Sequence, residues 1–205
     1  MKYGNAPLAL SVIPIAAPEM MFVQYLPIIM PRGNLALPKS LLCFFPLVKI
    51  AMNYVNHDDY LYITAKYLYV SSGCSGNREG WHSDGFGTSD INLLWSDSSP
   101  TEFCVQPFTL SNDCDISMQE MSEQVKLENI QTYPNNTLLR LDSSVIHRVA
   151  PIQTSGMRTF VKLSISKDKY NLKGNAHNYL LKYNWDLIDR SVKRNHTNKE
   201  QGETK

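Results

Sequence analysis

The stretch YLYITAKYLYV, Tyr60–Val70, decides the fold class. It is rich in aromatic and β-branched residues and carries no helix cap, so it reads as a strand. Alternation places Leu61, Ile63, Ala65, Tyr67 and Tyr69 on one face. Downstream, residues 71–80 hold Gly73, Gly76 and Gly80 and read as a loop. Residues 91–95 and 103–110 read as further strands, joined across the turn SDSSP at 96–100. Residues 117–125 are expected to form a short helix, with Ser117 and Glu120 as a capping box. After the turn Tyr133-Pro134-Asn135-Asn136, strands are expected at 137–142, 145–149 and 158–166, the last entered from a turn at 153–156. Many short strands with frequent turns indicate a β-sandwich or barrel. A second helix is expected at 184–193, and the polar, charged tail at 195–205 is expected to be flexible. There is no internal repeat, low-complexity tract, P-loop or Rossmann glycine fingerprint.

Upstream, the first 50 residues are the most apolar part of the chain. Residues 8–18 and 20–31 are almost uncharged, but both fall short of the roughly 18–20 apolar residues that span a bilayer. Pro14, Pro18, Pro27 and Pro31 interrupt them, which predicts short extended segments joined by turns. Only Lys2 precedes the first apolar run, so a signal peptide has little support. Residues 1–55 are expected to pack strands and a short helix against a β core at 56–170, the whole forming one domain over 1–194.

The chain has 205 residues, 20 Lys and Arg against 19 Asp and Glu, and a net charge of +1. That balance argues against a broad basic field for nucleic acid and against long polyanions, though a local patch remains open. Hydrophobic residues at 43% fit a globular protein rather than a disordered one. The four cysteines, Cys43, Cys74, Cys104 and Cys114, show no CxxC spacing, which argues against a zinc ribbon or a disulfide framework. Reduced thiols in the cytoplasm are the expectation.

Three separated pieces carry chemistry. In Trp81-His82-Ser83-Asp84-Gly85, an extended backbone points His82 and Asp84 to the same side. His147 follows the strand expected at 137–142. Two histidines and one carboxylate can occupy one face of an octahedral Fe(II) and leave positions open. Arg158 lies eleven residues after His147, across a turn, so a returning strand can aim it at the same cavity. Its planar fork suits a carboxylate.

With these residues, His82-Ser83-Asp84, then His147, then Gly156-Met157-Arg158, the chain resembles the Fe(II)- and 2-oxoglutarate-dependent dioxygenases. The resemblance covers roughly residues 60–166. It implies a mainly β (α+β) fold, a double-stranded β-helix or jelly roll with a few supporting helices. It implies that His82, Asp84 and His147 hold Fe(II) and that Arg158 binds the distal carboxylate of 2-oxoglutarate. It also implies O₂ as oxidant, with hydroxylation of a substrate and release of succinate and CO₂. A Ser or Thr often stands two residues after that Arg; here the position is Phe160, with Thr159 adjacent. Tyr67 and Tyr69, from an earlier strand, are the candidates for the missing hydroxyl.

Two other classes stand beside this reading. One is a cupin-like, metal-dependent β-barrel enzyme that uses no 2-oxoglutarate, with Arg158 contacting the substrate. The other is a non-catalytic jelly-roll binding module. In the main reading the loop at 71–80 rims the site, with Arg78 available to an acidic substrate group. Asn92 and Trp95 line the cavity or pack in the core. The expected partner is a small molecule or a locally recognised group, with nucleic acid disfavoured and no membrane.

Overall fold

The structure is a computed structural model and describes residues 2–190. The expected tail at 195–205 lies outside the described residues. The elements run β1 (Leu8–Val12), β2 (Met21–Ile29), a 3-10 segment at Lys39–Phe44, α1 (Phe45–Ala51), β3 (Tyr60–Val70), β4 (Ile91–Ser96) and β5 (Thr101–Cys104). Then follow α2 (Cys114–Gln124), β6 (Ile130–Gln131), β7 (Thr137–Leu141), β8 (His147–Val149) and β9 (Gly156–Ser166). The strands form two antiparallel sheets, one in the order β1-β7-β4-β9-β3-β2 and one in the order β6-β5-β8. The protein is thus mostly β with few helices, consistent with a β-sandwich or jelly roll.

Strand alternation divides the large sheet into two faces. Leu61, Ile63 and Ala65 of β3, Leu93 and Trp95 of β4, Leu138 of β7, and Val161, Leu163 and Ile165 of β9 point to one side. There they meet Leu41, Phe44, Leu47, Val48 and Ala51 from the N-terminal region. The apolar N-terminus therefore supplies the layer that keeps one sheet face dry, which is the main driving term for its packing. Pro27 sits in β2, a strand at the edge of the sheet, where a missing N–H breaks no ladder. On the other face Leu94, Leu139 and Leu141 join Phe103 of β5 and Val145, which couples the two sheets. Behind the small sheet, Trp81, Phe86, Cys104, Ile146 and Met121 of α2 form a further cluster.

The structure corrects several expectations. The strand expected at 103–110 is confined to Thr101–Cys104. Beyond it the Gln106 side chain takes over the bonding, donating to Gln124 O at 2.7 Å and accepting from Lys126 N at 3.1 Å. α2 begins at Cys114, ahead of the expected start at 117. Asp113 caps it by accepting from the amides of Asp115 and Ile116 at 2.9 and 3.0 Å. The helix expected at 184–193 is absent from its described part, residues 184–190. Ile188 instead bridges Leu172, and Trp185 packs on Tyr60 and Tyr183. Those contacts hold the segment extended. No disulfide joins any of the four cysteines. No helix among the described residues is long and apolar enough to cross a membrane.

Candidate metal centre

His82 and His147 are distant in sequence but adjacent in space. They form an isolated antiparallel bridge in which His82 N donates to His147 O at 3.0 Å and His147 N donates to His82 O at 2.9 Å. Reciprocal bonding of this kind places the two side chains directly opposite on one face. Their ring centroids are 4.6 Å apart. The HxD segment thereby lies along the edge of β8.

Asp84 follows on the same side of the extended segment, and its Oδ2 lies 3.6 Å from His147 Nε2. One ligand atom from each of His82, Asp84 and His147 falls within 4.8 Å of the other two. These three can hold a metal ion. Each ring is oriented through its far nitrogen: His82 Nδ1 lies 2.9 Å from Gly80 O, and His147 Nδ1 lies 3.3 Å from Val145 O. Donation to those carbonyls turns the Nε2 edge of each ring away from them, and His147 Nε2 is the nitrogen that faces Asp84. Between His82 and Asp84, Ser83 turns the other way and donates to Ser143 O at 2.6 Å. Arg148 lies over the Trp81 ring at 4.6 Å and pairs with Glu102 at 2.7 Å, bracing the start of the segment.

The electrostatics suit a cation. Burial pushes the His82 ring down to about 4, and the neighbouring His147 adds to the shift, so the ring is neutral at ordinary pH. Burial alone would raise Asp84. The Lys162 ammonium and the His147 ring outweigh it and hold the carboxyl well below the usual range. A neutral imidazole and an ionised carboxylate are the ligating forms.

The triad opens into a cavity of about 290 Å³. Thr64 and Lys66 of β3, Asn92 and Leu94 of β4, and Phe160 and Lys162 of β9 form its floor. Arg78 lines its rim, and its guanidinium reaches the sulfur of Met118 in α2. Of the two residues open to either reading, Asn92 lines the cavity and Trp95 belongs to the core.

Arg158 shares the face of β9 that carries Phe160 and Lys162, yet it does not line the cavity. It is 3% exposed, donates through Nε to Ser98 O at 3.0 Å, and packs its guanidinium 5.2 Å from the Phe160 ring centroid. Its Nη2 is buried and has no hydrogen-bond partner among the described residues. Burial lowers its pKa to about 10, against the pull of Asp97.

Tyr67 and Tyr69 are not near the triad. They share the parity of Leu61, Ile63 and Ala65, so they fall on the sheet face away from the cavity, and Tyr69 is 62% exposed. The tyrosines that line the cavity, among the described residues, are Tyr25 and Tyr170. Tyr25 lies in the irregular part of β2, where strand periodicity gives no orientation. Lys162 was readable: it stands four residues after Arg158, on the same face of a strand.

Neither a protein-family model nor a curated protein matches the chain. Among solved structures, EvdO2 from Micromonospora carbonacea var. aurantiaca is similar at 13% identity and a TM-score of 0.37. A second EvdO2 structure, complexed with 2-oxoglutarate, gives the same values. The similarity covers 63% of this chain and 60% of the EvdO2 chain, so the chain matches under two thirds of that protein's length.

Proposed function

We propose that the protein is an Fe(II)- and 2-oxoglutarate-dependent dioxygenase built on a double-stranded β-helix. The observation that carries the reading is the convergence of His82, Asp84 and His147 at the wall of a cavity. The donor set fits Fe(II): two imidazoles and one carboxylate on one side, with room opposite. Arg158 fits the far carboxylate of 2-oxoglutarate, because a buried guanidinium nitrogen without a partner gains most from an arriving acceptor. When bound, Fe(II) with 2-oxoglutarate and O₂ supplies substrate oxidation coupled to formation of succinate and CO₂.

The chain's own residues position and shield. The backbone bridge between His82 and His147 sets the spacing of the two rings, and the carbonyls of Gly80 and Val145 fix their tautomers. Leu94 and Phe160 supply the apolar part of the floor and exclude water. The loop at 71–80 borders the cavity through Asn77 and Arg78. The Phe160 ring both lines the cavity and packs on the guanidinium, so a carboxylate that reaches Arg158 from the cavity meets that ring.

One observation favours a second reading. Arg158 is closed off from the cavity, which suits a metal-dependent β-barrel enzyme that uses no 2-oxoglutarate. Anaerobic titration with Fe(II) and then 2-oxoglutarate separates the two. The dioxygenase reading expects a visible charge-transfer band, succinate release on admitting air, and loss of both in His82→Ala. Iron binding with neither band nor succinate supports the second reading.

A further inference from the structure

A cation already occupies the approach to the triad. Lys162 Nζ lies 3.0 Å from Asp84 Oδ2, the same oxygen that faces His147 Nε2. Lys162 is 9% exposed and lines the cavity from β9. Its second partner is the Tyr25 hydroxyl, 3.1 Å away. Tyr25 adopts φ 50, uncommon for a residue with a side chain, in an irregular stretch of β2 where its N–H donates to Thr64 Oγ1 at 3.0 Å. Backbone strain of this kind persists where the surroundings enforce it and clusters at functional sites. Tyr170 meets the Tyr25 ring edge-on at 5.2 Å and holds it from the far side.

A half-buried carboxylate and a buried ammonium are each costly alone, so their pairing is the favourable arrangement while no other cation is present. A divalent ion bound to Asp84 competes for the same oxygen and repels the ammonium at short range. The ammonium then loses its counter-charge while still tethered to Tyr25. A buried cation in that position calls for an anion.

We propose that Lys162 is the built-in counter-ion of Asp84, which a divalent metal displaces on entry, and that the displaced ammonium then binds a ligand carboxylate beside the metal. This rests on the metal-centre reading of His82, Asp84 and His147. The carboxylate belongs either to 2-oxoglutarate or to the substrate, and both present the same chemistry to Lys162. Lys162 is on this view a ligand-binding residue whose contact partner changes with metal loading.

The test is calorimetric titration of the full chain with Mn(II), comparing wild type, Lys162→Met and Lys162→Arg. Removing the competing charge tightens Mn(II) binding by roughly tenfold in Lys162→Met. Lys162→Arg, which keeps the charge, gains nothing. Equal or weaker Mn(II) binding by Lys162→Met overturns the counter-ion role and leaves the metal centre standing if wild type binds. Absence of Mn(II) binding by wild type overturns both. Where Lys162→Met fails to fold, ¹³C-labelled lysine in wild type reports instead. Addition of Zn(II) should move the Lys162 ε-methylene resonance, assigned by its absence from Lys162→Arg, and an unmoved resonance overturns the proposal. Carboxylate binding is then read on the Mn(II)-loaded proteins. Weaker 2-oxoglutarate binding by Lys162→Met assigns the carboxylate to the co-substrate. Unchanged 2-oxoglutarate binding with weaker acetate binding to the 2-oxoglutarate-loaded protein assigns it to the substrate. Both affinities unchanged overturns the anion-binding role.

Discussion

Gly85 follows Asp84 with φ +70, and a Cβ placed there would lie 2.8 Å from Thr88 Oγ1 and 2.9 Å from Asp90 Cβ. The turn closes on that residue through Thr88, whose N–H and hydroxyl both donate to Gly85 O, at 2.9 and 2.8 Å. Gly87 supplies a natural control, because its φ is +74 but a Cβ placed there would meet nothing within 4 Å. Gly87→Ala should carry the conformational cost alone, about 1–2 kcal/mol. Gly85→Ala adds a collision with the turn that holds Asp84, so it should cost more, about 2–4 kcal/mol. It should also weaken Mn(II) binding, which Gly87→Ala leaves intact. Urea denaturation and Mn(II) titration check both effects, and equal behaviour of the two variants would show that the turn does not position the carboxylate.

Among the elements, the strands flanking the site were the most legible. The sequence places β3 at its observed bounds and β9 within two residues of its start, because long runs of β-branched and aromatic residues announce themselves locally. The pair His82 and Asp84 is legible for the same reason: an extended HxD puts an imidazole and a carboxylate on one side whatever the fold. Their junction with His147 depends on a bridge between distant backbones, and only the spacing pattern of a resembling family pointed to it. Alternation puts Tyr67 and Tyr69 on one face with Leu61, Ile63 and Ala65, but it does not say which side of a sheet holds the cavity, and the cavity lies on the other. Lys162 is one of several scattered lysines in the late segment, and only strand parity counted from Arg158 singles it out. α2 shows a local competition decided by geometry. Ser117 and Glu120 match a capping box, yet Asp113 binds the free amides, and the Ser117 hydroxyl donates to Cys114 O at 2.9 Å. Asp113→Ala should therefore cost about 1 kcal/mol and Ser117→Ala less. Thermal denaturation checks the order, and the reverse order would restore Ser117 as the cap.

For the whole molecule, the cavity is closed by segments that meet only in the folded chain. Tyr170, beyond β9, stacks on Tyr62 of β3 with centroids 4.3 Å apart, meets Tyr25 of β2 edge-on, and donates its hydroxyl to Asp90 ahead of β4 at 2.7 Å. Asp90 is 8% exposed, and burial raises its pKa above 3.8, with nearby Asp168 adding to the shift. A carboxyl raised in the folded state stabilises most below its unfolded value, and that contribution is lost as pH rises through the folded value. Asp84 works in the opposite sense: its carboxyl is held low, so its contribution is present above the ordinary value and lost as pH falls. The two opposing slopes overlap in wild type. Asp90→Asn keeps an acceptor for Tyr170 and removes only the titration, so it separates them. The stability of Asp90→Asn relative to wild type should rise as pH increases from 3 towards 7, by about 1.4 kcal/mol for each unit by which the folded value is raised. Melting temperatures measured across that range provide the check. A difference that stays flat with pH would mean that Asp90 is not held as a raised carboxyl, the hydrogen bonds from Ser166 and Tyr170 offsetting its burial.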